Sequence, residues 1–290
     1  MRLENQQSPT LIRVGIKQRF SNLDRNFTPK QTREVFGIEF HPIAAAPSGG
    51  SGVFSIHTTL SQHKMLTFLN EEYSLEDLYA FFFEPRDYAV YTMDCTESAL
   101  HKWNTVKSKL PSGNIKHVFI NSEYGNSQQF LDFIKKFKED NPKVNLFAGQ
   151  VETVECAERA YHAGADVVVV GNSNSYPHIT IQTLDELIDL ARIHGRYIAG
   201  IHMDFLNGIA AGVDFIISDV FAEYEESGGK VEVRDYGTVK VADGRERILQ
   251  GSVVKQIEHF ASVIHRMMHH VGARDLNNFV QRTIFTHNVI

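Results

Sequence analysis

Short apolar runs alternate with segments of helical period along most of the chain. In residues 126–140, for example, apolar residues recur at intervals of three and four, so one face of the predicted helix is apolar. The valine run at 167–170 lacks polar alternation, which is typical of strands covered on both faces and hence of a parallel sheet. The pattern therefore predicts repeated strand and helix units.

Eight such units can be identified. The predicted strands are residues 36–46, 64–70, 88–94, 116–122, 145–151, 166–172, 197–202 and 214–219. The predicted helices are residues 50–60, 74–84, 98–110, 126–140, 154–164, 183–195, 203–212 and 253–272, with Thr183 as the N-cap of the sixth. This count predicts an α/β fold, a (β/α)8 TIM barrel, rather than an open doubly wound sheet.

One segment departs from this alternation of predicted strands and helices. Residues 222–251 are polar, alternating and punctuated by glycine, which predicts a β-hairpin inserted after strand 8 that acts as a lid at the mouth of the barrel. We predict a single domain, with an N-terminal extension at residues 1–34 and the barrel at residues 35–290.

Composition narrows the class of protein. The chain has 290 residues, of which 42% are hydrophobic, enough for a large core. It has no long apolar span and no signal-peptide pattern at its start, so we predict a cytoplasmic protein without a membrane partner. A net charge of -6 argues against nucleic acid as a partner. Cys95 and Cys156 are expected to be free thiols, and the absence of a zinc-type Cys/His spacing predicts no metal site.

Several segments carry a family resemblance. The stretch NPKVNLFAGQVETVECAERAYHAGADVVVVG (141–171), the segment FINSEYGNSQQFLDFIKKF, the strand and loop HPIAAAPSGG, the segment AAGVDFIISDVFAEYEESGG and the end HHVGARDLNNFVQRTIFTHN are similar to matching parts of the IMP dehydrogenase and GMP reductase family. The resemblance covers residues 35–290 in patches. GMP reductase is the nearer branch, because the C-terminal segment is reductase-like.

The resemblance implies a covalent mechanism that this chain is not equipped to perform. In the family a Cys thiolate attacks C2 of the purine, and the intermediate exchanges hydride with a nicotinamide cofactor. That Cys lies in the loop after strand 6, which here reads GNSNSYPHIT and contains no Cys. We therefore expect a protein that binds a purine nucleotide or related ligand and has lost the Cys-dependent hydride chemistry.

The resemblance also implies which positions would contact ligands. The ligand-binding candidates are Ser48, Gly49, Gly171, Asn172, Ser173, Gly200, Ser218, Asp219 and Glu226. The candidates on the cofactor side are Asn121, Ser122 and Gly125. Asp219 stands where relatives have a small phosphate-binding residue, so its carboxylate is expected to repel a phosphate group.

An enzyme with a relocated active site is the alternative. His178, His202, Asp204 and Asp219 follow neighbouring predicted strands and could bind a metal or act as acid and base. With 14 histidines in the chain, chance placement is the competing interpretation. Cys95 beside Asp94 is a candidate replacement nucleophile, against the alternative of an ordinary thiol. If the chain is an enzyme of this family, NADPH is the expected cofactor.

Assembly is expected from the resemblance alone. Relatives form tetramers, so we predict a homo-oligomer. The histidines of the last predicted helix, His265, His269 and His270, are interpreted as surface residues or subunit contacts.

Overall fold

The computed structural model describes residues 14–48, 50–171, 179–201, 203–235, 237–242 and 244–287. Three short strands come first: β1 (Val14–Ile16), β2 (Arg33–Val35) and β3 (Ile38–Phe40). Strands β2 and β3 pair as an antiparallel hairpin. Phe40 of this hairpin contacts the rings of His117 and Phe215, which begin barrel strands. The hairpin thereby closes the N-terminal end of the barrel.

Eight parallel strands close into a barrel, as the sequence predicts. They are β4 (Ile43–Ala45), β5 (Thr67–Phe68), β6 (Ala89–Met93), β7 (His117–Asn121), β8 (Asn145–Val151), β9 (Val167–Val170), β10 (Tyr197–Ile201) and β11 (Phe215–Ser218), and β11 pairs with β4 to complete the ring. The single first strand predicted at residues 36–46 is wrong, because it is divided between β3 and β4. Pro42 lies at the division and has no N–H to donate to a ladder.

Nine helices are found among the described residues. They are α1 (Phe54–Gln62), α2 (Leu75–Phe81), α3 (Glu97–Lys109), α4 (Gln128–Asp140), α5 (Val154–His162), α6 (Ile181–Ile193), α7 (Phe205–Ala211), α8 (Val253–Val271) and α9 (Leu276–Arg282). The predicted N-cap Thr183 is wrong, since Thr180 caps α6 and its hydroxyl accepts a hydrogen bond from the Thr183 amide. None of the described helices has the length and apolar character needed to cross a bilayer.

The barrel interior is a packed core. Inside the ring of strands, the Phe68 side chain packs edge to face against Phe119 and Phe147. The ring centroids lie 5.4 and 5.2 Å apart, respectively. The alternate strand residues, such as Tyr91 and Met93, pack outward against the helices. Because aromatic rings fill the lumen, a ligand site on the barrel axis is expected at the C-terminal mouth rather than inside the ring.

The insertion after β11 contains one strand more than the predicted hairpin. After a short 3-10 helix (Val220–Glu223), strands β12 (Lys230–Arg234), β13 (Gly237–Ala242) and β14 (Arg245–Ile248) form an antiparallel sheet. The Lys240 ammonium donates hydrogen bonds to the carbonyl oxygens of Glu225 and Ser227, at 3.0 and 2.6 Å. These bonds hold the sheet to the segment that follows the 3-10 helix. A lid role for it stays a prediction.

The two ends of the described chain meet. Strand β15 (Phe285–His287) pairs antiparallel with β1. The sequence patterns predicted neither strand, and α9 was missed as well. Because β1 lies in the predicted extension, part of residues 1–34 packs with the C-terminal segment, and the domain boundary at residue 35 stays a prediction.

Candidate functional site

The mouth of the barrel consists of the C-terminal strand ends and the residues that follow them. A chain of side-chain hydrogen bonds crosses it at β5, β7 and β8. The Gln150 amide donates to Asn121 Oδ1 at 3.1 Å, and the Asn121 amide donates to Glu71 Oε1 at 3.2 Å. Lys102 of α3 donates to the Glu71 carbonyl oxygen at 2.8 Å. We call Glu71, Asn121 and Gln150 the Glu71 cluster.

Glu71 is the titratable member of this cluster. Burial raises the pKa of the Glu71 carboxyl above its ordinary value, and the hydrogen bond from Asn121 opposes the rise. The nearby charge of Asp94 raises this pKa further. The cluster therefore contains a carboxyl group that holds its proton more readily than an exposed glutamate.

This raised pKa predicts a pH-dependent effect of Glu71→Gln. Since the folded-state pKa exceeds the unfolded value of 4.5, the native state binds more protons above that pH, and stability declines as pH rises through the folded pKa. We expect Glu71→Gln to stabilise the protein at neutral pH by less than about 1 kcal/mol, because solvent screens the partly exposed carboxyl. Denaturant unfolding at several pH values measures this.

The gain should vanish below about pH 4, where glutamate is protonated in both states. The neighbouring exposed Glu72→Gln is the matched control and should change stability little at any pH. Lower stability of Glu71→Gln at neutral pH would contradict the account.

Cys95 and Ser122 lie beside the Glu71 cluster. The Cys95 thiol is 3.7 Å from Ser122 Oγ, which also accepts a hydrogen bond from the Tyr124 amide at 3.1 Å. The Asp94 carboxylate accepts hydrogen bonds from the amide and the hydroxyl of Thr96 before α3. Asp94 therefore has a local structural role next to the candidate thiol.

The cofactor-side candidates are engaged with protein partners. The Asn121 amide oxygen accepts a hydrogen bond from Gln150, and its nitrogen donates one to Glu71. Ser122 Oγ accepts hydrogen bonds from the Cys95 thiol and the Tyr124 amide. A Cβ at Gly125 would lie 2.8 Å from the Gln150 carbonyl carbon, so Gly125 permits close packing of two loops. The Asn121 amide oxygen accepts one hydrogen bond, from Gln150, and keeps a second lone pair that a ligand donor could use.

Two buried hydroxyls near the mouth have no hydrogen-bond partner. Ser48 Oγ follows β4, and Thr92 Oγ1 lies near the end of β6; neither bonds to any part of the chain that the structure describes. Tyr91 and Met93 on either side of Thr92 face the helices, so Thr92 faces the lumen. An unsatisfied buried hydroxyl is costly, and a ligand that bonds to it recovers that cost.

The negative charge at the end of β11 is offset by a nearby cation, so it should repel an anion less than the sequence indicates. Arg247 of β14 lies 3.8 Å from the Asp219 carboxylate, and 13% of the Arg247 side chain is exposed. Ser218 Oγ accepts a hydrogen bond from the Val220 amide at 3.3 Å, and the Asp219 carbonyl accepts one from Ser51 at 2.9 Å. The Arg247 guanidinium therefore offsets the charge of Asp219, and the insertion places this positively charged side chain at the mouth.

Glu226 and Asp204 act at helix N-termini. The Glu226 carboxylate accepts hydrogen bonds from the Ser252 hydroxyl and from the Val253 amide at the start of α8. Burial raises its pKa, but these hydrogen bonds outweigh burial and leave the pKa of Glu226 below its usual value. Asp204 caps α7 by accepting from the Asn207 amide at 2.8 Å. Both carboxylates therefore have a structural role at a helix N-terminus.

Two glycine candidates allow close approach at the mouth. Gly171 has φ +111°, and a Cβ there would lie 2.7 Å from the Ile201 carbonyl oxygen. A Cβ at Gly200 would meet the Met203 side chain. The remaining candidates Gly49, Asn172, Ser173, His178 and His202 lie outside the described residues.

Sequence reasoning missed three side chains of this region. Glu71 and Gln150 were not selected, although Glu71 directly follows the predicted strand at 64–70 and Gln150 lies within the predicted strand at 145–151. Polar residues at the C-terminal ends of barrel strands are the signal that could have found them. Arg247 lies in the insertion, and no local pattern pairs it with Asp219.

A closed (β/α)8 barrel with polar groups gathered at its C-terminal mouth is the architecture of barrel enzymes and related ligand-binding proteins. The model of the IMP dehydrogenase / GMP reductase domain matches residues 98–175. GMP reductase of Shewanella pealeana is 24% identical over 91% of this chain and 88% of its own length. GMP reductase of Vibrio vulnificus is 25% identical over 91% and 87%, and human GMP reductase 1 is 26% identical over 80% and 72%. These similarities support the family predicted from the sequence, the IMP dehydrogenase and GMP reductase family, and the relatives named here are GMP reductases.

Proposed function

We propose that this protein binds a purine nucleotide or a related ligand at the barrel mouth and does not perform hydride transfer through a covalent cysteine. The observation that carries the proposal is the sequence of the loop after β9, which contains no Cys. Cys95 follows β6, and two strands, β7 and β8, separate β6 from β9 in the barrel. A thiol there is in a different sector from the family's nucleophile.

The ligand class is carried over from the relatives. They are named for the reduction of GMP, and their similarity extends over most of this chain. The unpartnered hydroxyls of Ser48 and Thr92 and the guanidinium of Arg247 support binding of a polar, anionic ligand at the mouth. Ser48 follows β4, Thr92 lies near the end of β6, and Arg247 lies next to Asp219, which follows β11.

Thr92→Val tests whether the mouth binds the ligand. The change removes an unsatisfied hydroxyl at nearly constant shape, so the folded state should lose no stability. Because one hydrogen bond to the ligand is removed, we expect the affinity for the nucleotide to fall about fivefold, measured by calorimetric titration.

Thr67→Val is the matched control. Thr67 Oγ1 is also buried without a partner within the described chain, but Thr67 lies between Leu66 and Phe68, which face the lumen, so its own side chain faces the helices. The Thr67→Val variant should bind the nucleotide with the same affinity as the wild type. Equal affinities for both variants would place the ligand away from Thr92.

A thermal-shift screen identifies the ligand. Purine mono-, di- and deoxynucleotides are added with and without NADPH, and any ligand of the native state raises the melting temperature. We expect stabilisation by a purine nucleotide in the absence of NADPH. A screen in which no purine nucleotide stabilises the protein contradicts the proposal.

A relocated active site is the second candidate function, as a GMP reductase-like NADPH-dependent oxidoreductase or another enzyme. The Cys95 thiol next to Ser122, near a carboxyl group with a raised pKa at Glu71, favours it. The constellation of His178, His202, Asp204 and Asp219 also stays a prediction. A homo-oligomeric state, a cytoplasmic location and the absence of a nucleic-acid partner are part of the proposal as well.

A further inference from the structure

Three potential metal ligands meet on the outside of the barrel. Glu158 and His162 lie one turn apart on α5, and His194 directly follows α6. One ligand atom from each residue lies within 4.8 Å of the other two. No sequence motif joins them, since Glu158 and His162 lie on α5 whereas His194 follows α6.

Hydrogen bonding prepares His162 to bind a metal. His162 Nδ1 lies 2.9 Å from the Glu158 carbonyl oxygen, which can only accept, so this ring nitrogen carries the proton. In the neutral ring the lone pair is then on Nε2. Metal-bound histidines commonly donate their other ring nitrogen to a carbonyl or carboxylate in this way.

The other two ligands are also placed suitably. The His194 ring stacks on Tyr161 with centroids 5.5 Å apart and stands edge to face with His162 at 5.0 Å. The neighbouring Arg159 pairs with Glu155. Within the described ranges no cation pairs with the Glu158 carboxylate, so it can accept a metal ion.

We propose that Glu158, His162 and His194 bind a divalent transition-metal ion such as Zn²⁺, with water as the fourth ligand. Two imidazole nitrogens and one carboxylate oxygen suit tetrahedral zinc, with bonds of about 2.0 to 2.2 Å. Ligand atoms in such a site lie about 3.4 Å apart, so these side chains need to move together by little more than about 1 Å. All three are at least partly exposed and have room to do so.

Such a site would join the two helices that flank β9. Helix α5 precedes this strand and α6 follows the loop after it, so the ion would tie together the two ends of one structural unit. The site lies outside the mouth, and its existence does not depend on which ligand the mouth binds.

Metal titration of the untagged, metal-free protein tests the proposal. Zn²⁺ is followed by calorimetry, and Co²⁺ by visible absorption, which reports tetrahedral nitrogen and oxygen ligands. We expect one equivalent to bind to the wild type and to raise the melting temperature by several degrees. His162→Ala and His194→Ala should each weaken binding about 100-fold.

Matched controls separate this site from general surface binding. Glu155→Gln alters the neighbouring acid on α5, and His101→Ala removes an exposed histidine on α3; both should bind the metal as the wild type does. Circular dichroism verifies that each variant is folded. Failure of the wild type to bind either ion, or binding unaffected by both cluster-histidine variants, overturns the proposal.

Discussion

Replacement of Asp166 by alanine is expected to lower the free energy of unfolding by about 2 to 3 kcal/mol, because it leaves the buried Leu146 amide and two partly exposed cations without their shared partner. The Asp166 carboxylate is paired with Lys138 and Arg196, and 9% of its side chain is exposed. It also accepts a hydrogen bond from the Leu146 amide at 2.9 Å. It therefore ties α4, β8 and the start of β10 to the start of β9. Urea unfolding followed by circular dichroism measures the loss.

The matched control is Asp189→Ala. Asp189 pairs with Arg192 on the surface of α6, where 70% of the aspartate side chain is exposed. Exposed pairs contribute little, so this variant should lose less than about 0.5 kcal/mol. Similar losses for the two variants would show that burial of Asp166 does not govern its contribution.

Gly149→Ala is expected to destabilise the barrel by about 3 kcal/mol through steric overlap. Gly149 of β8 faces Val169 of β9, and a Cβ there would lie 2.7 Å from Val169 Cβ and closer still to the Val169 carbonyl oxygen. Backbone cannot move aside as a flexible side chain can, so the two strands must separate. The midpoint of denaturant unfolding should fall while the slope stays unchanged.

Gly251→Ala is the control for this substitution. A Cβ at Gly251 would have only the flexible Lys255 ammonium nearby, at 3.7 Å, so the change should alter stability by less than about 1 kcal/mol. Wild-type stability of Gly149→Ala would contradict the close approach of β8 and β9. That approach also places Gln150 beside Asn121, so its loss should disturb the Glu71 cluster.

The fold was largely predictable because parallel strands have a strong local signal. The valine run of β9 reflects burial on both faces of a strand, and the helical period of α4 reflects burial on one face of a helix. Both patterns can be identified within a short stretch of sequence. The strands β1 and β15 have no comparable signal. They are three residues each, and their pairing joins opposite ends of the chain. The extra strand of the insertion was missed because alternating polar segments do not determine how many strands pair.

The candidate site was less predictable, since its groups come together only in three dimensions. The family resemblance drew attention to Asn121, but the bonds from Asn121 to Glu71 and Gln150 depend on the order of strands in the barrel. Likewise, sequence reasoning predicted a repulsive carboxylate at Asp219 and had no means of locating Arg247 beside it. The capping role of Glu226 at α8 was hidden for the same reason.

We propose above that the protein binds a purine nucleotide without Cys-dependent reduction of it. The most direct measurement combines GMP with NADPH and the wild-type protein and follows NADPH absorbance, while calorimetry records nucleotide binding. We expect nucleotide binding and an NADPH oxidation rate equal to that of a protein-free control. GMP-dependent NADPH oxidation that is lost in Cys95→Ala would contradict it and would identify Cys95 as the nucleophile.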